Sequence, residues 1–322
     1  MRLGKILVLG GLGFLGRNAV KTLIKRGYSV RVFDRRVPND AEVIDLFGTS
    51  DNIDFIAGDF LDKKLILLAL SGCDSCLHLI TTTLPATSNA DKTYDVSSNL
   101  IGSLQVLEAM RELEIGKLIF LSSGGTVYGN PLYTPIDENH PTHPRSSYGI
   151  VKLAIEKYCY LFNELHNMKA VVLRLSNPYG AGQLGTGIQG AIPVFVHRAL
   201  MGEPIEIWGD GKVIRDYVHI DDVSAAIVSA VEYQGNETIF NIGSGSGTSL
   251  NQIIGSIEHA LKRKVNVNYQ PARSLDVSVS VLDITKAISE FAWMPRVPLE
   301  EGIRTVVEDQ RLALQMLGGL SS

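Results

Sequence analysis

"KILVLGGLGFLGRNAVKTLIKRGYSVRVFD", residues 5–34, decides the fold. "KILVLG" is a short apolar run, "FLGRNAVKTLIKRG" carries helical periodicity that stops at Gly27, and "SVRVFD" is a second strand. Gly10, Gly13 and Gly16 fall between the first strand and the helix. At that spacing glycines permit a tight turn, close approach of backbone to a pyrophosphate, and close packing of helix on strand, with the helix N-terminus facing the phosphates. A glycine-rich turn alone is a weak signal. Asp34 strengthens it, because it ends the second strand about twenty residues on, where a carboxylate accepts hydrogen bonds from an adenosine ribose. A carboxylate there repels a 2′-phosphate and so favours NAD over NADP. Arg35 and Arg36 read either as solvated loop residues, the reading preferred here, or as guanidiniums that accommodate that phosphate.

The alternation continues through "IDFIAGD", "KLILLALSG", "SCLHLI", a helix from about Asn99 to Leu113, "KLIFLSS", a helix around Tyr148 to Glu164, and "KAVVLRLSN". Strands that alternate with helices as nearly continuous apolar runs form a parallel sheet covered on both faces, which binds ligands at its carboxyl ends. After Asn177 the rhythm breaks into Gly- and Pro-containing segments with short strands and helices. The expectation is therefore an α/β protein: a Rossmann-type doubly wound parallel sheet with a smaller mixed α/β substrate-binding lobe. Residues 1–176 form the dinucleotide domain, with 214–240 returning to it, and residues 177–322 form mainly the second lobe.

Composition agrees with an ordinary soluble globular protein whose default partner is a small molecule. The 322 residues are 45% hydrophobic and 20% charged with a formal net charge of -4, inside the ordinary globular range. Scattered Lys and Arg give no nucleic-acid footprint, and no apolar run is long enough to span a membrane. The basic and apolar N-terminus is better explained by the glycine turn than by a secretory signal. Three cysteines, Cys73, Cys76 and Cys159, give an odd count suited to a reducing, cytoplasmic setting. The Cys73/Cys76 pair opens no helix and has no second ligand pair, so no metal site is expected.

"SSGGTVYGN", residues 122–130, precedes "SYGIVK", residues 147–152. Tyr148 and Lys152 lie four apart on one helix face, where an ammonium stabilises a phenolate. To act as a base near neutral pH the tyrosine must fall from about 10 to about 7, which is worth roughly 4 kcal/mol. Lys152 and an oxidised nicotinamide are the expected sources of that shift.

Nearly the whole chain resembles the extended short-chain dehydrogenase/reductase family, in its nucleotide-sugar epimerase and dehydratase branch, most closely the UDP-hexose 4-epimerases. The resemblance rests on "GGLGFLG", "AGDFLD", "CLHLI", Ser88 eleven residues before Asn99, "SSGGTVYG", the Tyr148/Lys152 pair, "RLSNPYG", "GDGKVIRDYVHIDDV", "RSLD" and "FAWMP", all in one order. It implies bound NAD held by Gly10, Gly13, Phe14, Leu15, Gly16, Asp34, Asp59, Phe60, Asn99, Tyr148 and Lys152, with Asp59 near the adenine. It implies a UDP-sugar substrate contacted by Asn177, gripped at its pyrophosphate by Arg215 and Arg273, and held at its ribose by Asp276. Arginine forks match phosphate oxygens and carboxylates accept ribose hydroxyls, so the residue types suit those roles. Arg215 has a second reading, an internal salt bridge with Asp216 or Asp221. A homodimer is implied as well.

The departures from the family pattern are informative. Gly124 stands where many relatives carry the Ser or Thr that bonds the reacting sugar hydroxyl, and Ser123 or Thr126 is the expected replacement. Gly125 and Thr126 leave water elimination without its acid and base, which weakens a dehydratase. The implied activity is a UDP-hexose 4-epimerase: Tyr148 takes the proton of the 4-hydroxyl, a 4-keto sugar turns over, and the proton returns. Ser280, seven residues past Arg273, falls beside the sugar 2-substituent, and its small size implies acceptance of UDP-GlcNAc and UDP-GalNAc; otherwise it is an exposed strand residue. The rivals are a nucleotide-sugar 4-ketoreductase and a non-catalytic NAD-binding regulator.

Overall fold

Apolar runs of four to seven residues alternate with 3.6-period segments through the first half of the chain, and the computed structural model, which describes residues 3–183, 190–272 and 277–316, turns each into a strand or a helix. In order these are β1 (Lys5–Leu9), α1 (Phe14–Arg26), β2 (Ser29–Asp34), α2 (Asp40–Phe47), β3 (Ile53–Ala57), α3 (Lys63–Leu70) and β4 (Ser75–His78). A short α4 (Lys92–Asp95) runs through a π-helical turn, Val96–Ile101, into α5 (Gly102–Glu112). The helix therefore begins at Lys92 rather than near Asn99. Asp91 caps it by accepting from Tyr94 N, and the Ser97 and Ser98 hydroxyls bond back to Tyr94 O, so a polar run that reads as loop stays helical.

Next come β5 (Lys117–Ser123), α6 (Ser147–His166) capped by Ser146, β6 (Lys169–Leu175), β7 (Asn177–Tyr179), α7 (Ala191–Met201), β8 (Ile205–Trp208), β9 (Ile214–His219), α8 (Ile220–Glu232) and β10 (Ile239–Ile242). The chain closes with β11 (Gly247–Ser249), α9 (Leu250–Leu261), β12 (Val267–Gln270), β13 (Val279–Ser280), α10 (Thr285–Phe291) and α11 (Leu299–Met316). Seven parallel strands form the main sheet in the order β10-β6-β5-β4-β1-β2-β3. The chain leaves β1 in one direction through β2 and β3 and resumes at β4 on the other side, which opens a crevice at the carboxyl ends of β1 and β4.

Both faces of this sheet are covered. Ala19, Val20 and Leu23 of α1 pack with Val223 and Ile227 of α8 on one face, and Leu70, Val106, Met110 and Ile155 of α3, α5 and α6 fill the other. A separate core of Ile192, Val196, Ile253, Ile257, Ile303 and Val306 unites α7, α9 and α11 in the second lobe. Beside it β9 pairs with β7, β11 and β13, only the β11 pairing being antiparallel, while β8 pairs with β12. The 214–240 stretch is thus divided. Its strand β9 belongs to the mixed sheet, its helix α8 packs on α1, and β10, which begins at Ile239 within it, completes the parallel sheet.

One ion pair is sealed between α6 and the sheet. Arg174 Nη2 meets Glu156 Oε2 at 2.7 Å, with side-chain exposures of 3% and 1%. Ser122 Oγ also donates to Glu156, and Arg174 Nη1 donates to the Tyr128 hydroxyl at 3.0 Å, which in turn donates to Asn241 Oδ1 at 2.7 Å. Removing one member of a buried pair strands the other's charge. Arg174→Met is therefore expected to lower stability by about 3–5 kcal/mol, measured by urea unfolding.

Candidate active site

The dinucleotide end is built by close approach. After β1 the chain turns at Gly10 with φ +83°, and a Cβ on Gly16 would lie 2.1 Å from Gly10 O, so no side chain fits where α1 sits on the turn. Gly13 is different: a Cβ there meets only Gly10 O, at 3.5 Å. As the N-cap of α1 it offers no side-chain acceptor, and the first turn contains no acidic residue. The first intrahelical bond runs from Arg17 N to Gly13 O, so the N–H groups of Phe14, Leu15 and Gly16 are left for an external anion. The side chains of Phe14 and Leu15 pack on the core instead.

A cavity of about 1140 Å³ opens in front of this helix end, lined by Gly10, Leu12, Gly13, Asp34, Asp59, Phe60, Thr81, Thr82 and Ser98, among others. Asp34 Oδ2 accepts from Leu12 N at 2.9 Å and Oδ1 from Arg35 N at 2.8 Å, which aims the carboxylate along the turn and leaves lone pairs on both oxygens. Arg35 and Arg36 also line the cavity, with Arg36 held by Glu42 at 2.8 Å. Volume, unpaired donors and the ribose-facing carboxylate all fit an extended dinucleotide. Asn99 is turned inward: Oδ1 accepts from Thr82 N at 2.8 Å, and Nδ2 donates to Asp95 and Thr83. Its side chain holds the threonine loop on the cavity rim.

Tyr148 and Lys152 stand on the first turns of α6, whose entry is fixed by Ser88 Oγ accepting from Tyr148 N and Asn89 Oδ1 accepting from Ser147 N. Lys152 Nζ donates to Leu121 O at 2.9 Å and lies 5.7 Å from the centre of the Tyr148 ring. Burial pushes Lys152 down to about 8, opposed by Glu156 and Asp95. Burial also pushes Tyr148 up to about 12, and the Asp95 carboxylate adds to the rise. The expectation that Lys152 draws the phenol down is therefore reversed in the chain alone. The ammonium is occupied by a backbone carbonyl, and desolvation of the phenolate dominates.

Ser123 ends β5 and Thr126 follows in the next turn, where its Oγ1 is buried and makes no hydrogen bond. That hydroxyl has its full capacity available. The direction a side chain would take from residue 124 is closed: a Cβ on Gly124 would lie 2.7 Å from Leu282 Cδ1 and 3.1 Å from Arg174 O. Restoring a serine there meets Leu282. Leu282 is fixed by Asp216, a buried carboxylate that accepts from Leu282 N, Ser244 N and Oγ, Gly245 N and Ser176 Oγ.

A second cavity of about 340 Å³ gathers Asn177, Arg215, Tyr217, Glu206, Trp208 and Phe195, among others. Asn177 Nδ2 donates to Asp216 O at 2.8 Å, and Arg215 Nη1 to Ile214 O at 2.8 Å. Ser280 on β13 sits in register beside Arg215. Arg273 and Asp276 lie outside the described residues. Glu206 and Trp208 were not singled out from sequence, although their i, i+2 spacing in "IEIW" puts both on one strand face. Asp95 was missed because its surroundings read as loop.

A switch-point crevice with an uncapped glycine turn, a Tyr/Lys pair on the helix between β5 and β6 and a second lobe whose pocket carries Arg215 define an extended short-chain dehydrogenase/reductase. The chain belongs to the NAD dependent epimerase/dehydratase family, which it matches over residues 6–243. It is 37% identical to the UDP-glucose 4-epimerase of Thermotoga maritima, solved with UDP-glucose, with a TM-score of 0.89 over 96% of this chain and 99% of that one. The UDP-N-acetylglucosamine 4-epimerase of Methanobrevibacter ruminantium M1, solved with UDP-N-acetylmuramic acid, is 27% identical with a TM-score of 0.89, covering 97% of this chain and all (100%) of its own. A dTDP-4-dehydro-6-deoxyglucose reductase from Escherichia coli is 32% identical over 95% of this chain and 97% of its own length.

Gly124→Ser is expected to lower stability by about 1–3 kcal/mol through overpacking against Leu282. Adding Leu282→Ala to the same chain should recover part of that loss, which thermal unfolding of the single and double variants reads directly.

Proposed function

We propose that this chain is an NAD-dependent isomerase, a UDP-hexose 4-epimerase. The observation that carries the reading is one combination: a Tyr148/Lys152 pair on α6, a dinucleotide-sized cavity in front of α1, a second cavity holding Asn177 and Arg215, and Gly125 and Thr126 supplying no carboxylate for water elimination. NAD, when bound, supplies a reversible acceptor for the hydrogen on C4 and a positive charge beside the phenol. Tyr148 takes the proton of the 4-hydroxyl and later returns it from the same position. Thr126 Oγ1, buried and unpartnered, orients that hydroxyl in place of a side chain at 124, with Ser123 beside it. Lys152 holds its ammonium against Leu121 O under the phenol ring. Asn177 and Arg215, with Arg273 and Asp276, grip the UDP portion and leave the sugar free to turn.

The test is incubation with UDP-sugars without added cofactor. Epimers should form with no net oxidation or reduction, and Tyr148→Phe should keep the fold and bound NAD while losing about 10²–10⁴-fold in turnover. Near-normal turnover by that variant would overturn the mechanism. The second reading, a 4-ketoreductase, is favoured by the Escherichia coli relative and requires stoichiometric consumption of reduced cofactor.

The finer substrate reading rests on Ser280. Its side chain is small, it stands in register beside Arg215, and a small residue at this position is the kind that admits an N-acetyl group at the sugar 2-position. The relative from Methanobrevibacter supports this direction. Ser280→Tyr should abolish activity on UDP-GalNAc and spare UDP-galactose, since a filled volume rejects the larger group. A wild-type chain inactive on UDP-GalNAc sinks the gate and leaves the epimerase standing. The same reading carries a homodimer, supported by an exposed apolar stripe of Ile150, Tyr158, Leu161 and Leu165 on α6, and a cytoplasmic setting, supported by three buried free thiols. Among the described residues no helix is long and apolar enough to cross a membrane.

A further inference from the structure

Two polar stripes face each other beneath the reacting end of the site. On α6, Tyr148, Lys152 and Glu156 follow at four-residue intervals, and across from them Asp95, Asn99 and Ser103 do the same along α4, the π turn and α5. Both α4 and the π turn pack directly on α6. Below Tyr148 every member is sealed from solvent, Asp95 completely (0% exposed). Asp95 Oδ1 accepts from Thr83 Oγ1 at 2.5 Å and Asn99 Nδ2 at 2.9 Å, and Ser103 Oγ donates to Asn99 O. Asp95 Oδ2 makes no hydrogen bond.

The charges around this space resolve into pairs. Glu156 is committed to Arg174. His78, facing from β4, is held neutral down to about 3 by burial and then by the charge of Lys152. Lys152 and Asp95 remain. The ammonium donates to the neutral Leu121 O, and the carboxylate receives only neutral donors. They form no direct contact pair, yet the same carboxylate supports the charge of Lys152 and opposes that of Tyr148. Glu156 supports the charge of Lys152 first and Asp95 second, and in a poorly screened interior such charges act across intervening atoms.

We propose that Asp95 is a positioning residue for the Tyr148/Lys152 pair, its buried carboxylate with one unpartnered oxygen facing the pair across the α4/α6 contact and acting, beside Glu156, as a counter-charge to Lys152 and against the phenolate of Tyr148 in the cofactor-free chain. Its purpose rests on the epimerase reading; its test does not. Asp95→Asn keeps the acceptor for Thr83 and Asn99 and removes only the charge. Phenolate absorbance of the cofactor-free variant, with Tyr148→Phe counterparts subtracted to isolate one of 11 tyrosines, should show Tyr148 ionising about one pH unit lower than in the parent. The acid limb of turnover in the NAD-loaded enzyme should move the same way. An unmoved Tyr148 titration overturns the proposal and leaves Asp95 as a tie between Thr83 and Asn99. If Asp95→Asn fails to fold, Lys152→Met decides. That change strands the carboxylate, so adding Asp95→Asn should restore stability at pH 7. A double variant no more stable than Lys152→Met overturns the proposal. Neither titration nor unfolding involves a sugar, so both stand apart from the fate of the epimerase assignment.

Discussion

The carboxylate of Asp216 is the joint on which the two lobes meet. It sits on β9 in the mixed sheet, almost wholly buried, and gathers donors from the ends of β6 and β10 and from the segment after β13. Burial raises its pKa, and only this set of N–H and O–H donors opposes the rise. A Cβ on Gly243 would lie 2.3 Å from its Oδ2, so the glycine is the space in which the carboxylate fits. Its neighbours in sequence and space reach the second cavity: Arg215 precedes it, Asn177 bonds its peptide oxygen, and Leu282 is drawn over Gly124. A single buried anion thereby ties the end of the parallel sheet to the Asn177/Arg215 cavity.

The parallel sheet was legible because its signal is local. Glycine spacing, short apolar strands and 3.6-period helices in residues 5–34 specify a βαβ unit without reference to anything distant. The same held for the Tyr148/Lys152 helix. What the sequence hid was tertiary. The start of α4 depends on serine hydroxyls bonding back to a helix that their type usually opposes. That Gly124 is filled from Leu282 depends on a contact between positions far apart in the chain. Asn99 has the residue type of a ligand-binding group, and only its three partners reveal that its side chain is spent on the Thr82/Thr83 loop.

The electrostatics of the site are similarly collective. Spacing alone suggests that a lysine four residues from a tyrosine lowers its pKa, yet desolvation moves both groups toward neutrality. The protein contains enough buried charge to keep this from being a matter of two residues. Glu156 with Arg174 and Lys152 with Asp95 share one interior, and the phenol is read against their sum. Chemistry at Tyr148 is therefore conditional on what else enters the site.

The strand order has a consequence for how the chain is made. β6 is complete by residue 175, but the strand that covers its outer edge, β10, begins only at residue 239. During synthesis from the N-terminus a nearly finished parallel sheet therefore waits, with the edge of Val172 to Leu175 lacking its β10 partner and its flanking face bare of α8. Such an edge is a template for the wrong partner as well as the right one. The interval is filled by β7, α7, β8 and β9, so much of the substrate lobe emerges before the nucleotide-binding domain can close. The dinucleotide cavity, although lined almost entirely by the first hundred residues, reaches its final rigidity only when the chain has come back from the other lobe.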